Sequence, residues 1–244
     1  MVRLRLDRLL VLRGLAPTRE KAQAMILSGA VSVAGRRADK AGTPIEETQE
    51  VTVEGRPHPY VSRGGVKLAA ALEAFRLDPS GLVCLDVGAS TGGFTDCFLQ
   101  RGAAKVYAVD VGYGQLDAKL RNDSRVVVRE RVNARSLSRE HVPEPVGLAA
   151  VDVSFISARL ILPAVASLVV KRGAVVVLVK PQFEAGRAEV GKGGIVRSED
   201  VRRRVVAEAE DFGRRLGLEW IGSIPSPIRG ARGNEEFLVA FRVN

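Results

Sequence analysis

Leu85-Asp86-Val87-Gly88-Ala89-Ser90-Thr91-Gly92-Gly93-Phe94 reads as the end of an apolar strand, a sharp glycine-rich turn and the start of a helix. Glycines at such a junction let the backbone turn tightly and approach a ligand with no Cβ in the way. Outward from it, apolar strands are expected over 82–87, 105–111, 125–130, 148–153, 174–180, 218–224 and 237–243, separated by helical segments. The run Ala174-Val175-Val176-Val177-Leu178-Val179 has no polar face, so that strand is covered on both sides. Strands of this kind alternating with helices give a mainly parallel α/β sheet with helices on both faces. A helix near 65–75 places Leu68, Ala71, Leu72 and Phe75 on one side. Pro181 to Arg197 reads as a 17-residue glycine-rich loop, longer than a plain connector needs.

The turn looks like a cofactor site because of its partner. Asp110 lies 22 residues after Gly88, at the end of the second strand, where a carboxylate can accept hydrogen bonds from ribose hydroxyls. Dinucleotides and S-adenosylmethionine both suit a glycine turn with a ribose-binding acid. The dinucleotide fingerprint is G-x-G-x-x-G, whereas here the glycines fall as G-x-x-x-G-G, with Ser90 where the second would be. Asp86 before the turn would repel a pyrophosphate but favours a ligand carrying a sulfonium and an ammonium. The chemistry therefore prefers the methyl donor, with Asp86, Gly88, Ala89, Ser90, Thr91, Gly92, Gly93, Phe94, Asp110 and Val111 as its candidate contacts.

The front of the chain is different. A helix is expected from about Arg5 to Gly14, then a second one capped by Thr18 and ended by Gly29, with short strands at 31–33 and 51–53. That makes a small α+β unit over 1–56, a linker over 57–65 whose glycines could let the two parts reorient, and a larger domain over 66–244. The 244 residues carry a net charge of +9, and the charge is uneven. Residues 1–40 hold Arg3, Arg5, Arg8, Arg13, Arg19, Lys21, Arg36, Arg37 and Lys40 against Asp7, Glu20 and Asp39, while 41–60 are net acidic. A basic front end suits a polyanionic partner. No aromatic residue precedes Tyr60, so folded RNA would be met by shape and phosphate contacts rather than base stacking. The candidate RNA contacts are Arg3, Arg5, Arg8, Arg19, Lys21, Arg36, Arg37 and Lys40, with Arg63 at the junction. The longest mostly apolar stretch, 160–170, contains Pro163 and is too short to span a bilayer. The start lacks a signal-peptide pattern, and Cys84 and Cys97 read as buried reduced thiols. A cytoplasmic protein with no metal and no membrane partner is expected.

Four ordered motifs then carry a family resemblance: Leu85–Phe94, Asp110-Val111-Gly112-Tyr113-Gly114-Gln115, Val151-Asp152-Val153-Ser154-Phe155-Ile156 and Leu178-Val179-Lys180-Pro181-Gln182-Phe183-Glu184. Together they resemble the TlyA (haemolysin A) family of ribosomal RNA methyltransferases, and the first unit resembles the RNA-binding domain named after the S-four ribosomal protein. The resemblance implies a Rossmann-like, FtsJ-type methyltransferase domain: a seven-stranded sheet, helices on both faces and the last strand antiparallel. It implies that Asn133-Ala134 and Ser154-Phe155 flank the adenine and methionine ends of S-adenosylmethionine. It also implies a Lys-Asp-Lys-Glu catalytic set, matched in order by Lys67, Asp152, Lys180 and Glu236, with adjacent Glu235 left as an alternative for the last place.

The set has a chemical reason. A ribose 2′-hydroxyl is a poor nucleophile, so the enzyme must position it and take its proton. A lysine in a dry cleft beside a second ammonium can be that base. Lys180 is assigned the role, with Asp152 orienting it and the donor methyl, and with Lys67 and Glu236 fixing the ribose. By resemblance the substrate is a cytidine ribose in the RNA of assembled ribosomal subunits, the small one and possibly the large. A membrane-damaging haemolysin and a non-catalytic assembly factor are the competing readings. Oligomeric state is not legible.

Overall fold

A computed structural model describes residues 3–16, 18–27, 29–53, 58–230 and 233–244. The chain divides into two compact units, Met1–His58 and Pro59–Asn244. Of the expected linker over 57–65, residue 57 lies outside the described residues.

In the first unit β1 (Arg3–Arg5) pairs antiparallel with β4 (Pro44–Glu46), and β2 (Val31–Val33) pairs with both β3 (Arg36–Arg37) and β5 (Val51–Val53). The first helix, α1 (Leu6–Leu12), begins one residue later than expected because Arg3–Arg5 is drawn into the β1–β4 ladder. Helix α2 (Arg19–Leu27) is capped by Thr18, whose Oγ1 accepts from the Lys21 N–H at 3.2 Å. Leu6, Leu9 and Leu10 of α1 meet Ala22 and Ile26 of α2 and Val31 of β2 in one small core.

The second unit is built on seven strands: β6 (Val83–Val87), β7 (Lys105–Val109), β8 (Val126–Arg129), β9 (Val146–Val151), β10 (Val169–Val179), β11 (Glu219–Pro225) and β12 (Phe237–Arg242). Their order is β11-β12-β10-β9-β6-β7-β8, and β12 alone runs antiparallel to both of its neighbours. The seven expected strands are all present. Burial alternates with residue parity. Val175, Val177 and Val179 pack with α6 (Leu162–Ala166) and α8 (Glu199–Arg215), while Ala174, Val176 and Leu178 share a core cluster with α3 (Gly64–Ala74), α4 (Gly93–Gln100) and α5 (Ala118–Arg121). Over Ala174–Val179 both faces of β10 are therefore core, as that unbroken apolar run requires. Cys84 and Cys97 are buried, and burial pushes their thiols up to about 12 and about 11, so both are inert.

Two expectations need correction. Gly64 and Gly65, read as a hinge, form the first residues of α3, and a Cβ on Gly65 would fall 2.2 Å from the Tyr60 ring. The junction after residue 59 is packed, with the Val61 N–H donating to Asp96 at 2.8 Å. The segment after Lys180 is not a bare loop either. It holds α7 (Pro181–Glu184), a 3₁₀ turn over Arg187–Glu189 and a bridge between Gly191 and Ile195.

Candidate active site

Strands β6, β7 and β8 are laid down to one side and β9, β10 and β12 to the other, so strand order reverses between β6 and β9. The carboxyl ends of strands at such a reversal form a crevice, the usual ligand site of an open α/β sheet. Gly88 lies in it. Its φ is +87°, and a Cβ there would sit 2.4 Å from the Asp152 carbonyl oxygen. Only glycine satisfies both constraints. The turn is tied down by the Gly88 and Ala89 N–H groups, which donate to Val109 O at 2.8 and 3.1 Å. Gly93 lets α4 start close against α3, since its Cβ would meet Gly65 N at 2.9 Å.

Asp110, just past β7, accepts from the N–H of Ser90 (2.8 Å) and of Gly112 (2.7 Å). It thereby holds the cofactor turn and the 111–115 loop together around a cavity lined by Ala89, Ser90, Asp110, Gly112, Gln115 and Leu116. A carboxylate has about four acceptor positions, so Asp110 keeps capacity for a pair of ribose hydroxyls. Val111 is 74% exposed beside it. Asn133 and Ala134 follow β8, where the Arg131 and Val132 N–H groups donate to Gly112 O and Asp110 O, so this segment packs on the same loop. Asn133 itself caps a 3₁₀ turn through the Arg135 N–H.

Asp86 lies beneath the turn and is fully buried. Its Oδ2 accepts from the Thr95 N–H (2.9 Å) and Oγ–H (2.7 Å), and its Oδ1 has no protein partner. Burial pushes this carboxyl up to about 7, the carboxylates of Asp152 and Asp110 add to the rise, and the Thr95 hydrogen bonds oppose it. An orphaned buried acceptor next to a glycine cradle, with a second acid at ribose position, fits a ligand that brings positive charge. The residues present suit S-adenosylmethionine.

Three of the four expected catalytic residues come from neighbouring strands. Asp152 follows the end of β9 and Lys180 the end of adjacent β10. Val179 pairs with Phe237, so the next antiparallel rung places Lys180 opposite Glu236. Lys67 reaches in from α3. The side chains form two ion pairs: Lys180 Nζ to Asp152 Oδ1 at 2.6 Å and Lys67 Nζ to Glu236 Oε2 at 2.5 Å. Lys67, Lys180 and Glu236 are buried, which is rare for such residues unless paired. Of the two adjacent acids, Glu236 is the one paired with Lys67, while Glu235 points away to Arg202 and Arg229. Lys180 also donates to Ser154 Oγ at 2.8 Å, so Ser154, expected beside the donor, stands against the lysine. The neighbours found for Lys180 are thus a carboxylate and a hydroxyl rather than the second ammonium expected. Phe155 adopts φ +64°, is 85% exposed, and lies 5.1 Å from the Phe183 ring, giving the mouth of the site an aromatic face.

Residues 60–243 match the FtsJ-like methyltransferase family and residues 4–51 match the S4 domain. Over 241 residues the chain is 46% identical to the 16S/23S rRNA (cytidine-2'-O)-methyltransferase TlyA of Mycobacterium tuberculosis, covering 98% of this chain and 90% of that protein. The chain belongs to the TlyA family of FtsJ-like methyltransferases. It is also 42% identical to Hemolysin A of Brachyspira hyodysenteriae, over 98% of this chain and 99% of that one. A solved structure of a candidate hemolysin from Streptococcus thermophilus superposes with a TM-score of 0.78 at 44% identity, covering 100% of this chain and 90% of that one. At 18% identity and TM-score 0.54, a candidate S-adenosylmethionine dependent methyltransferase from Listeria monocytogenes shares the fold. Among the described residues no helix is long and apolar enough to cross a membrane.

In the S4 domain of this TlyA-family chain, every basic residue singled out from the sequence (Arg3, Arg5, Arg8, Arg19, Lys21, Arg36, Arg37 and Lys40) is exposed, as is Arg63 at the start of α3. Sequence reasoning missed what organises two of them. Asp7, wholly buried in the first turn of α1, accepts from Arg5 (3.1 and 3.0 Å), Arg19 (2.9 Å) and Gln23 (2.9 Å). Arg5 first, then Gln23 and Arg19, hold its carboxyl well below the usual carboxylate range. Two residues at the catalytic end were also missed. Buried Asn234 donates to Gly194 O (2.7 Å) and accepts from the Val196 N–H (3.0 Å), joining the glycine-rich segment to the strand entry that carries Glu236. Glu184, quoted only as part of a motif, is the other.

Proposed function

We propose that this TlyA-family chain transfers a methyl group from S-adenosylmethionine to the 2′-hydroxyl of a cytidine ribose in ribosomal RNA within an assembled subunit. The observation that carries the reading is the pair of inward-facing lysine–carboxylate couples, Lys67–Glu236 and Lys180–Asp152, at the carboxyl edge beside the Gly88 turn. The cytidine and the 2′-oxygen come from what the M. tuberculosis relative is named for. The S4 domain over about 1–56 supplies RNA affinity, and the domain over about 66–244 supplies the chemistry. Ribosomal subunits place the work in the cytoplasm.

The donor supplies an electrophilic sulfonium methyl. Gly88–Phe94 would cradle it, Asp110 would take its ribose hydroxyls, and Asp86 would answer its positive charge. Val111, Asn133 and Ala134 would border the adenine, and Ser154 and Phe155 the methionine end. The chain's own residues then act on the acceptor. Lys67 and Glu236 hold the ribose so that its 2′-oxygen faces the methyl, which removes most of the entropic barrier to an in-line attack. Lys180, as the free amine, takes the hydroxyl proton as the oxygen attacks. The ammonium so formed is stabilised by Asp152, whose Oδ1 lies 2.6 Å from Lys180 Nζ.

The test incubates the protein with labelled S-adenosylmethionine and, in separate reactions, purified small and large ribosomal subunits. Label at a cytidine 2′-oxygen in either subunit is the expected result, and no label in both overturns the proposal. Lys180→Ala should abolish transfer while leaving donor binding by calorimetry near the unmodified value.

A further inference from the structure

We infer that Glu184 is a positioning residue that holds the Asp152–Ser157 segment in register with Lys180, without itself touching the reacting atoms. The inference deepens the proposed function and rests on it. The segment leaves β9 with one backbone hydrogen bond, Asp152 N–H to Val87 O at 2.9 Å, and its ladder resumes only at the Leu160 and Ile161 N–H groups. In between lie Asp152, Ser154 and the left-handed Phe155. The anchor at the far side is Glu184. Its side chain is 3% exposed and both oxygens are used: Oε1 accepts from the Ala158 N–H at 2.7 Å, and Oε2 accepts from Ser157 Oγ–H at 2.5 Å and Arg159 Nε–H at 3.3 Å.

Glu184 is the last residue of α7, which begins directly after Lys180 with Pro181 at its first position. One carboxylate therefore clamps the segment bearing Asp152 and Ser154 onto the segment bearing Lys180. Lys180 meets both of those residues, Asp152 at 2.6 Å and Ser154 at 2.8 Å. The two segments have a second contact in Phe155 and Phe183, 5.1 Å apart. Arg159 extends from Glu184 to Glu208 of α8 at 3.3 Å, so the clamp's charge is balanced from the next layer. Loss of the clamp lets the Asp152 segment drift from Lys180, and a displacement of about 1 Å at reacting groups costs on the order of 10²-fold in rate.

The experiment compares full-length wild type, Glu184→Gln, Glu184→Asp and Ser157→Ala for subunit methylation, donor affinity by calorimetry, and thermal melting. The expected result for Glu184→Gln is a kcat lower by about 10²-fold, with RNA KM changed little and donor binding weakened by a smaller factor, since Ser154 and Phe155 lie on the same segment. Its rising pH–rate limb should move to lower pH, because an ammonium gives up its proton more readily when its carboxylate partner is withdrawn. Glu184→Asp, which keeps the charge, should recover part of kcat, and Ser157→Ala should show a smaller loss in the same direction. A wild-type pH profile in Glu184→Gln, with kcat reduced only in proportion to the folded fraction, overturns the inference. Should Glu184→Gln not fold, Ser157→Ala decides, and wild-type kcat and pH profile there overturn it. Failure of the wild type to methylate either subunit would instead count against the parent reading.

Discussion

Single side chains in this protein are decided by what surrounds them. Asp86 is the sharpest case, a carboxyl with one satisfied oxygen and one orphan, pushed up to about 7 chiefly by burial. A native pKa above the unfolded value means that the folded state binds the proton more tightly. Its contribution to stability is therefore complete at pH below about 4 and is lost as pH rises through about 7. Asp86→Asn lacks this term, and its amide oxygen can still accept from Thr95. The melting temperature of the variant relative to wild type should accordingly climb between pH 5 and 8, measured without donor. A difference independent of pH would show that Asp86 is already ionised in the native state. The two glutamates before β12 offer a second contrast. Glu236→Gln strands Lys67 in a buried site and should cost up to about 3 kcal/mol together with activity, whereas Glu235→Gln removes half-exposed pairs worth less than about 1 kcal/mol. Denaturant titration and subunit methylation read both. Sequence could not choose between them because β12 is apolar on both faces: Leu238 and Ala240 pack with α3, Val239 and Phe241 with α8. Parity puts Glu236 on the α3 side with Lys67, but only once one knows which side α3 covers. Asp7 and Glu184 escaped for a related reason, since each is a lone acid whose partners lie in segments with no pattern of their own.

At the level of elements, the strands were legible and the small pieces were not. Val175–Val179 and its neighbours announce themselves by apolar runs between turn residues. Strands β1 and β4, three residues each, exist because they pair with one another, and nothing in Arg3–Arg5 or Pro44–Glu46 taken alone says so. The segment after Lys180 looked like a loop because its order comes from side chains elsewhere: Asn234 near its end, and Arg204 gripping Glu189 midway. The strand–turn–helix at 83–100 is where element geometry and function meet, and it carries a prediction. Gly88→Ala forces a Cβ into φ +87° and toward the Asp152 carbonyl. The left-handed backbone alone costs about 1–2 kcal/mol. The shift needed to relieve the contact moves Asp152 relative to Lys180, so donor binding and turnover should fall together. A variant that melts lower yet binds donor and methylates like wild type would show that the turn serves packing alone.

Over the whole molecule, the +9 charge has to be reconciled with an active site whose lysines are already neutralised in pairs. The charge available to a partner therefore lies elsewhere, and the S4 domain supplies a compact share of it in exposed Arg8, Lys21, Arg36 and Lys40. Arg5 and Arg19 are exposed too, but each already spends part of its guanidinium on Asp7, which fixes their direction as it dilutes their charge. Binding by such a surface releases counterions from RNA, and each phosphate contact adds about 0.7–0.9 to the slope of log affinity against log salt. A domain using several of these residues should lose RNA affinity steeply as salt rises. Arg36→Ala, in the exposed strand β3, should lower that slope by about one without moving the melting temperature. Asp7→Asn should act differently: it frees two arginines from their carboxylate but removes what orients them, so affinity should fall while the slope holds or rises. Filter binding of isolated subunit RNA across a salt series separates the two patterns, and a flat response in the wild type would remove the S4 domain from RNA recognition.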